Sequence, residues 1–127
     1  MASDSAGYRE LIVWQRAMSL CEAVYAFTRG MTESERYGLS SQMQRAAVSV
    51  PSNIAEGYGR GPGKDYAKHL RYARGSLAEL ETQVELAVRC ELATRNEAKP
   101  VWSLAQETGK LLTRLIQSQT RQTPPQA

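Results

Sequence analysis

Residues 63–92 read GKDYAKHLRYARGSLAELETQVELAVRCEL, and their periodicity decides the fold. Tyr66, Leu70, Ala73, Leu77, Leu80, Val84, Ala87 and Val88 recur at intervals of three and four. That spacing collects them on one side of an α-helix and leaves the charged residues on the other. A half-buried strand would alternate at every second residue, and no stretch of the chain does so. The fold class is therefore all-α.

Immediately upstream lies GYGRGPG, residues 57–63. Four glycines and a proline cannot propagate a helix, since each glycine alone costs ~1 kcal/mol relative to alanine. The stretch separates helix three from helix two, which spans about Tyr37 to Glu56 with Leu39, Met43, Ala46, Ala47, Val50 and Ile54 inward. Pro51 lies inside helix two, where it removes an amide donor and collides with the carbonyl four residues earlier. The helix is expected to kink or break between Ala47 and Pro51.

Further out, helix one runs from about Glu10 to Arg29 with Leu11, Trp14, Ala17, Met18, Cys21, Val24, Tyr25 and Thr28 facing a core. Gly30 closes it, and Thr32 to Glu35 forms a Thr-x-x-Glu capping box that opens helix two. Val13, Leu20 and Phe27 make a second apolar line on helix one. A monomeric bundle buries one stripe per helix, so this line either points to a subunit interface or widens the internal core or stays partly exposed. Downstream, a second box, Thr94-x-x-Glu97, opens helix four. It continues to about Ser118 with Val101, Leu104, Ala105, Thr108, Leu111, Leu112 and Leu115 inward. Pro100 near its start predicts a later start or a distorted first turn. Four amphipathic helices with short connections predict one domain over 1–127, an antiparallel up-down-up-down four-helix bundle with a Pro-kinked second helix. Its ordered core spans about 10–118 between disordered termini, the last of them Thr120 to Ala127 with two prolines.

The 42% hydrophobic and 23% charged content suits a globular chain rather than a disordered one. No run reaches the ~18 apolar residues of a membrane span, and Met1 to Gly7 lacks the basic start and apolar run of a leader. A cytoplasmic protein is expected. Cys21 and Cys90 have no second cysteine or histidine at ligand spacing, so they read as free thiols of a reducing compartment.

Tests for chemistry fail in turn. A di-iron bundle needs inward Glu-x-x-His pairs, but the single histidine, His69, follows Tyr66 rather than a glutamate at that spacing. His69 also has no neighbouring serine or cysteine to activate, and an exposed or partner-contacting role is expected for it. A P-loop would need glycine at Tyr58 and Ser or Thr at Asp65, while Pro62 breaks the dinucleotide-binding glycine pattern. No catalytic residue, metal or cofactor is expected, and the chain is expected not to be an enzyme.

Charge gives the positive signal. The net charge is only +3, but between Arg60 and Arg74 lie Arg60, Lys64, Lys68, Arg71 and Arg74 against the single acid Asp65, a local balance of 5 − 1 = +4. Lys64, Lys68 and Arg71 stand at i, i+4 and i+7, one ridge on helix three, with Tyr58 and Tyr72 nearby to stack on bases. Helix two carries its own polar stripe, Arg45, Ser49, Ser52 and Glu56.

Four segments carry a resemblance: Leu11-Ile-Val-Trp-Gln15; Glu35-Arg-Tyr-Gly-Leu39; Gln42 with Arg45-Ala-Ala-Val-Ser-Val-Pro-Ser-Asn-Ile-Ala-Glu-Gly57; and Gly75-Ser-Leu-Ala-Glu-Leu-Glu-Thr-Gln83. Over Leu11 to Leu92 the chain resembles the four-helix bundle family of 23S ribosomal RNA intervening-sequence proteins, while helix four matches only in pattern. The resemblance implies a protomer of a ring-like homopentamer, encoded by some members within insertions in 23S ribosomal RNA genes. In a related branch, the accessory variability determinants of diversity-generating retroelements, a basic pentamer binds nucleic acid and a reverse transcriptase. It implies no active site, only the use of Arg45, Arg60, Lys64, Lys68, Arg71 and Arg74 as a nucleic-acid-binding surface. The partners to expect are thus further copies of the chain, RNA or DNA, and a reverse transcriptase or another protein, with no membrane. The resemblance also suggests that Ser49, Ser52, Asn53 and Glu56 form a polar network with Ser76, Glu79 or Thr82, where Gly75 permits close approach. The alternative function is a protein-interaction module whose ridge is merely solvated.

Overall fold

The computed structural model describes residues 7–35 and 38–121. They form four α-helices: α1 (Ile12–Arg29), α2 (Leu39–Gly59), α3 (Lys64–Arg89) and α4 (Arg95–Thr120). No strand occurs among the described residues. Short 3₁₀ turns, Gly7–Glu10 and Glu33–Glu35, precede α1 and α2. α1 and α3 each pack against both α2 and α4, which gives a four-helix bundle around one core.

Helix ends follow local chemistry. α3 starts behind Gly63 at φ 112, a value open to glycine, and Gly63 donates its amide to the Gln119 side chain at 2.9 Å. It stops at Glu91, in the left-handed region at φ 63, with the Leu92 amide returning to the Ala87 carbonyl at 2.9 Å. At α4 both halves of the expected capping box are present: the Thr94 hydroxyl accepts from the Glu97 amide, and the Glu97 carboxylate accepts from the Thr94 amide. The other expected box is absent. Glu33–Glu35 is a 3₁₀ turn, the Thr32 hydroxyl meets Ser34 Oγ at 3.0 Å, and α2 opens at Leu39 behind Gly38 without a side-chain cap. The expected start at Tyr37 lies outside the described residues, as do the terminal segments 1–6 and 122–127.

Neither proline interrupts its helix. Pro51 sits buried within a continuous α2, which extends past the expected end at Glu56 to Gly59. A proline at 51 leaves the Ala47 carbonyl without its helical donor. Cys21 of α1 supplies one, its thiol donating to that carbonyl at 3.1 Å. Burial, and secondarily the negative charge of Glu22, pushes the Cys21 thiol from 9.0 to about 11, so it stays protonated and able to donate. Pro100 does not delay α4, which begins at Arg95 under its cap.

The core contains the expected faces of α2, α3 and α4, with Leu70, Leu80, Ile54, Met43 and Leu112 fully buried. Each such side chain contributes ~1.5–3 kcal/mol. The reading of α1 is corrected. Val13, Leu20 and Phe27, assigned to a subunit interface, are 5%, 0% and 7% exposed and lie in the internal core with Ala17 and Val24. Of the line expected to face the core, Ala17, Val24 and Thr28 are buried, while Leu11, Trp14 and Cys21 are half-buried and Met18 and Tyr25 exposed. Both lines have helical spacing and share Ala17 and Val24. α1 has two neighbouring helices, and the Val13–Leu20–Phe27 line between them goes in, while the line through Trp14, Met18 and Tyr25 takes the seam from which Cys21 and Thr28 reach α2.

Candidate nucleic-acid interface

Lys64, Lys68, Arg71 and Arg74 are all exposed along the first three turns of α3. Their spacing carries them away from the face that Tyr66, Leu70 and Ala73 bury. Beside them, α3 and α4 border a groove of about 600 Å³, floored by Leu77, Ala78, Ala105 and Gly109. Arg74 donates to the Thr113 hydroxyl across it at 3.4 Å, and α4 adds Lys110 and Arg114 on its own side. Arg74, Lys110 and Arg114 thus border this seam, and Lys64, Lys68 and Arg71 continue the basic surface over the exposed side of α3.

Ion pairs engage four other cations among the described residues. Arg16 meets Glu107 at 2.6 Å, Arg60 meets Glu56 at 3.2 Å, and Arg89 and Arg95 share Glu85 at 2.9 and 3.2 Å. Hydrogen bonds from Arg95 and then Arg89 hold the Glu85 carboxyl below the usual carboxylate range. Among the described residues no ion pair engages Lys64, Lys68, Arg71, Arg74, Lys110 or Arg114. Their charge remains available to an anion. Glu81, the carboxylate bordering the groove, has its pKa raised by burial, so the groove resists the negative form there.

Of the residues expected at the interface, Lys64, Lys68, Arg71 and Arg74 come together. Arg60 is partly neutralised by Glu56, and Arg45 stands apart on α2. Lys110 and Arg114 were not foreseen. Their i, i+4 spacing was legible in the sequence, but it gains meaning only once α4 is known to flank α3.

The expected polar network is present in part. Ser49 Oγ and Ser76 Oγ are 2.8 Å apart, joining α2 to α3. Asn53 Nδ2 donates to the carbonyl and hydroxyl of Ser49 at 3.0 Å each, and Asn53 Oδ1 lies 3.3 Å from His69 Nδ1. Ser52 is exposed, Glu56 turns to Arg60, Glu79 accepts from Gln83 on its own helix, and Thr82 bonds the Ala78 carbonyl one turn back. His69, expected to be exposed or to contact a partner, is 7% exposed and packs edge-on against Tyr72. The missed signal was its place between Tyr66 and Ala73 on the apolar side of α3. Close approach comes from Gly57 rather than Gly75: a Cβ on Gly57 would stand 2.8 Å from His69 Cβ, whereas nothing lies within 4 Å of one on Gly75.

Among the described residues no helix is long and apolar enough to cross a membrane, and no group of three His, Cys, Asp or Glu side chains is placed to hold a metal ion.

Comparison with known proteins agrees with this architecture. The sequence model of the 23S rRNA-intervening sequence protein family matches residues 9–114. The chain belongs to that family. The fold is similar to the crystal structure of a protein of unknown function from the S23 ribosomal protein family of Bacteroides thetaiotaomicron. That likeness has a TM-score of 0.77 at 22% identity, over 84% of this chain and 96% of the other. No curated protein matches the sequence.

Proposed function

We propose that this 23S rRNA-intervening sequence protein is a non-catalytic, homo-oligomeric adaptor that binds RNA or DNA through the cationic seam of α3 and α4. The observation that carries the reading is the set of six exposed cations with no carboxylate partner among the described residues. Unpaired lysine and arginine beside one another attract phosphate and release its counterions, whereas paired ones have little left to offer. The pentamer implied by the resemblance would present this seam several times around a ring and raise avidity without new contacts. A cytoplasmic setting and a reverse transcriptase or other protein partner belong to the same reading.

The up-down-up-down arrangement is part of the proposal. It is supported by pairings in which residue numbers rise on one helix as they fall on the next: Cys21 with Ala47 and Thr28 with Gln44, then Ser49 with Ser76 and Asn53 with His69. A bend in α2 at Pro51 is supported by the Ala47 carbonyl, which takes its donor from α1.

Filter binding to structured RNA and duplex DNA over a salt series tests the function. Affinity should fall with a log-log slope of several units, and Lys68→Ala and Arg71→Ala should each reduce that slope by about 0.9. Undetectable binding to both polymers at low salt would overturn the reading. It would favour a protein-interaction module, for which the exposed Met18, Tyr25 and Val48 on α1 and α2 are the supporting observation.

A further inference from the structure

A second, smaller cleft of about 340 Å³ opens between α2 and α3, lined by Gln42, Arg45 and Ser49 of α2 and Ser76 and Glu79 of α3. The Ser49–Ser76 hydroxyl pair already ties its two walls together. Arg45 and Glu79 carry opposite charges into the same opening, yet among the described residues neither forms an ion pair. Glu79 accepts only a long bond from Gln83, at 3.4 Å. Opposite charges that share a cleft without meeting leave room for a group offering donors to the carboxylate and acceptors to the guanidinium.

We propose that this cleft takes the edge of an unpaired guanine, which deepens the nucleic-acid reading above and rests on it. Guanine is the base that presents two adjacent donors, N1–H and the 2-amino group, to the two oxygens of one carboxylate. Its O6 and N7 are the acceptors that an arginine fork engages. Adenine offers one amino group between two acceptors, cytosine one amino group with an acceptor on one side only, and uracil one N–H between two carbonyls, so none of them presents two adjacent donors to Glu79. Bases can be read this way only when they are out of a helical stack, which places the target in a single strand or loop.

The site also lies in register with Lys68 of the basic ridge on α3. Lys68, Tyr72, Ser76 and Glu79 follow one another along α3 at i, i+4, i+8 and i+11, so they share one stripe of the helix. Tyr72 is 52% exposed on that stripe, between the lysine and the cleft. A strand whose phosphate meets Lys68 would stack one base on Tyr72 and present the next to Arg45 and Glu79.

Fluorescence anisotropy with short oligouridylates carrying one central guanosine, inosine or adenosine, and with the unmodified oligouridylate, tests the inference. Inosine keeps N1–H but lacks the 2-amino group. The guanosine strand should bind about 10-fold more tightly than the other three. Glu79→Gln should abolish that preference and, by removing a negative charge beside the strand, bind plain oligouridylate at least as tightly as the parent, whereas Lys68→Ala should weaken all four strands alike. Both side chains are exposed, and a thermal melt confirms that each variant folds. Equal affinity for the four strands, preference for another base, or a guanosine preference that survives Glu79→Gln overturns the cleft assignment and leaves the cationic seam standing. Failure of all four strands and of the structured polymers to bind at low salt overturns both.

Discussion

α2 and α4 stand at opposite corners of the bundle, each packed against both α1 and α3, and each contains a proline and a glycine that faces α3. The same residue types do different things in the two helices. Pro51 is buried, and the carbonyl it leaves unpaired, on the fully buried Ala47, takes the Cys21 thiol. Pro100 is exposed, and the carbonyl it leaves belongs to the exposed Asn96, where water is a sufficient partner. Gly57 admits no Cβ, because His69 and Tyr66 already occupy the space at 2.8 and 3.0 Å; Gly109 would meet only the far end of Leu77 at 3.3 Å. α2 is held by contacts that particular residues must supply, whereas α4 is held by an apolar stripe that many sequences satisfy.

Two glycine substitutions break or sharpen that contrast most strongly. Gly57→Ala should destabilise the fold by ~2–3 kcal/mol, because the new methyl collides with the β-carbon of a buried histidine rather than with a movable side-chain end. Gly109→Ala should stay within ~1 kcal/mol of the parent and can rise above it, since replacing a mid-helix glycine recovers conformational entropy while Leu77 yields a few tenths of an ångström. Urea denaturation of the two variants gives the comparison directly. Equal losses would mean that α2 is no more tightly specified than α4.

The proline contrast predicts a smaller effect. Cys21→Ala should cost about 1–2 kcal/mol by leaving the buried Ala47 carbonyl without a donor, and Cys21→Ser, which restores one, should recover part of it. The wild type carries a matching pH signature. Its Cys21 pKa is raised from 9.0 to about 11, so the folded state keeps a proton that the unfolded state releases. The stabilisation is complete below pH 9.0 and is lost as the pH rises toward about 11. Burial likewise raises Tyr66 from 10.0 to about 12, so Cys21→Ala should flatten the early part of the alkaline decline and leave the later part. Unfolding midpoints that decline identically in the variant and the wild type would separate Cys21 from the effect.

This contrast also explains how much was legible in the sequence. Helix number, the faces of α2 to α4, the Thr94 cap and the ridge on α3 follow from spacing, because an apolar stripe or a run of cations is a one-dimensional pattern. The inner face of α1 was misassigned because two apolar lines compete there, and only the positions of α2 and α4 decide between Val13–Leu20–Phe27 and Trp14–Met18–Tyr25. The candidate site was half legible for a related reason. Four of its cations share one helix, whereas Lys110 and Arg114, and the facing of Arg45 with Glu79, depend on which helices become neighbours. The most distinctive stretch of the chain, around Val50-Pro51-Ser52-Asn53, is where α2 needs individual residues, whereas α4, which the family's sequence model matches as far as residue 114, needs few.

The smallest expected effect sits within that distinctive stretch. Asn53 and Glu56 are both polar, three residues apart on α2, and both were assigned to one network. Asn53 ties the Ser49 carbonyl and hydroxyl to His69, so Asn53→Ala should cost about 1 kcal/mol by leaving a half-buried cluster unpaired. Glu56 pairs with Arg60 on the surface, where both side chains are about half exposed at 56% and 49%, and such a pair returns little beyond its cost in side-chain entropy. Glu56→Ala should therefore shift stability by no more than ~0.5 kcal/mol. A larger loss would place Glu56 back in the α2–α3 network, and would mean that the line between the specified and the permissive side of α2 falls one turn further toward the glycine-rich loop.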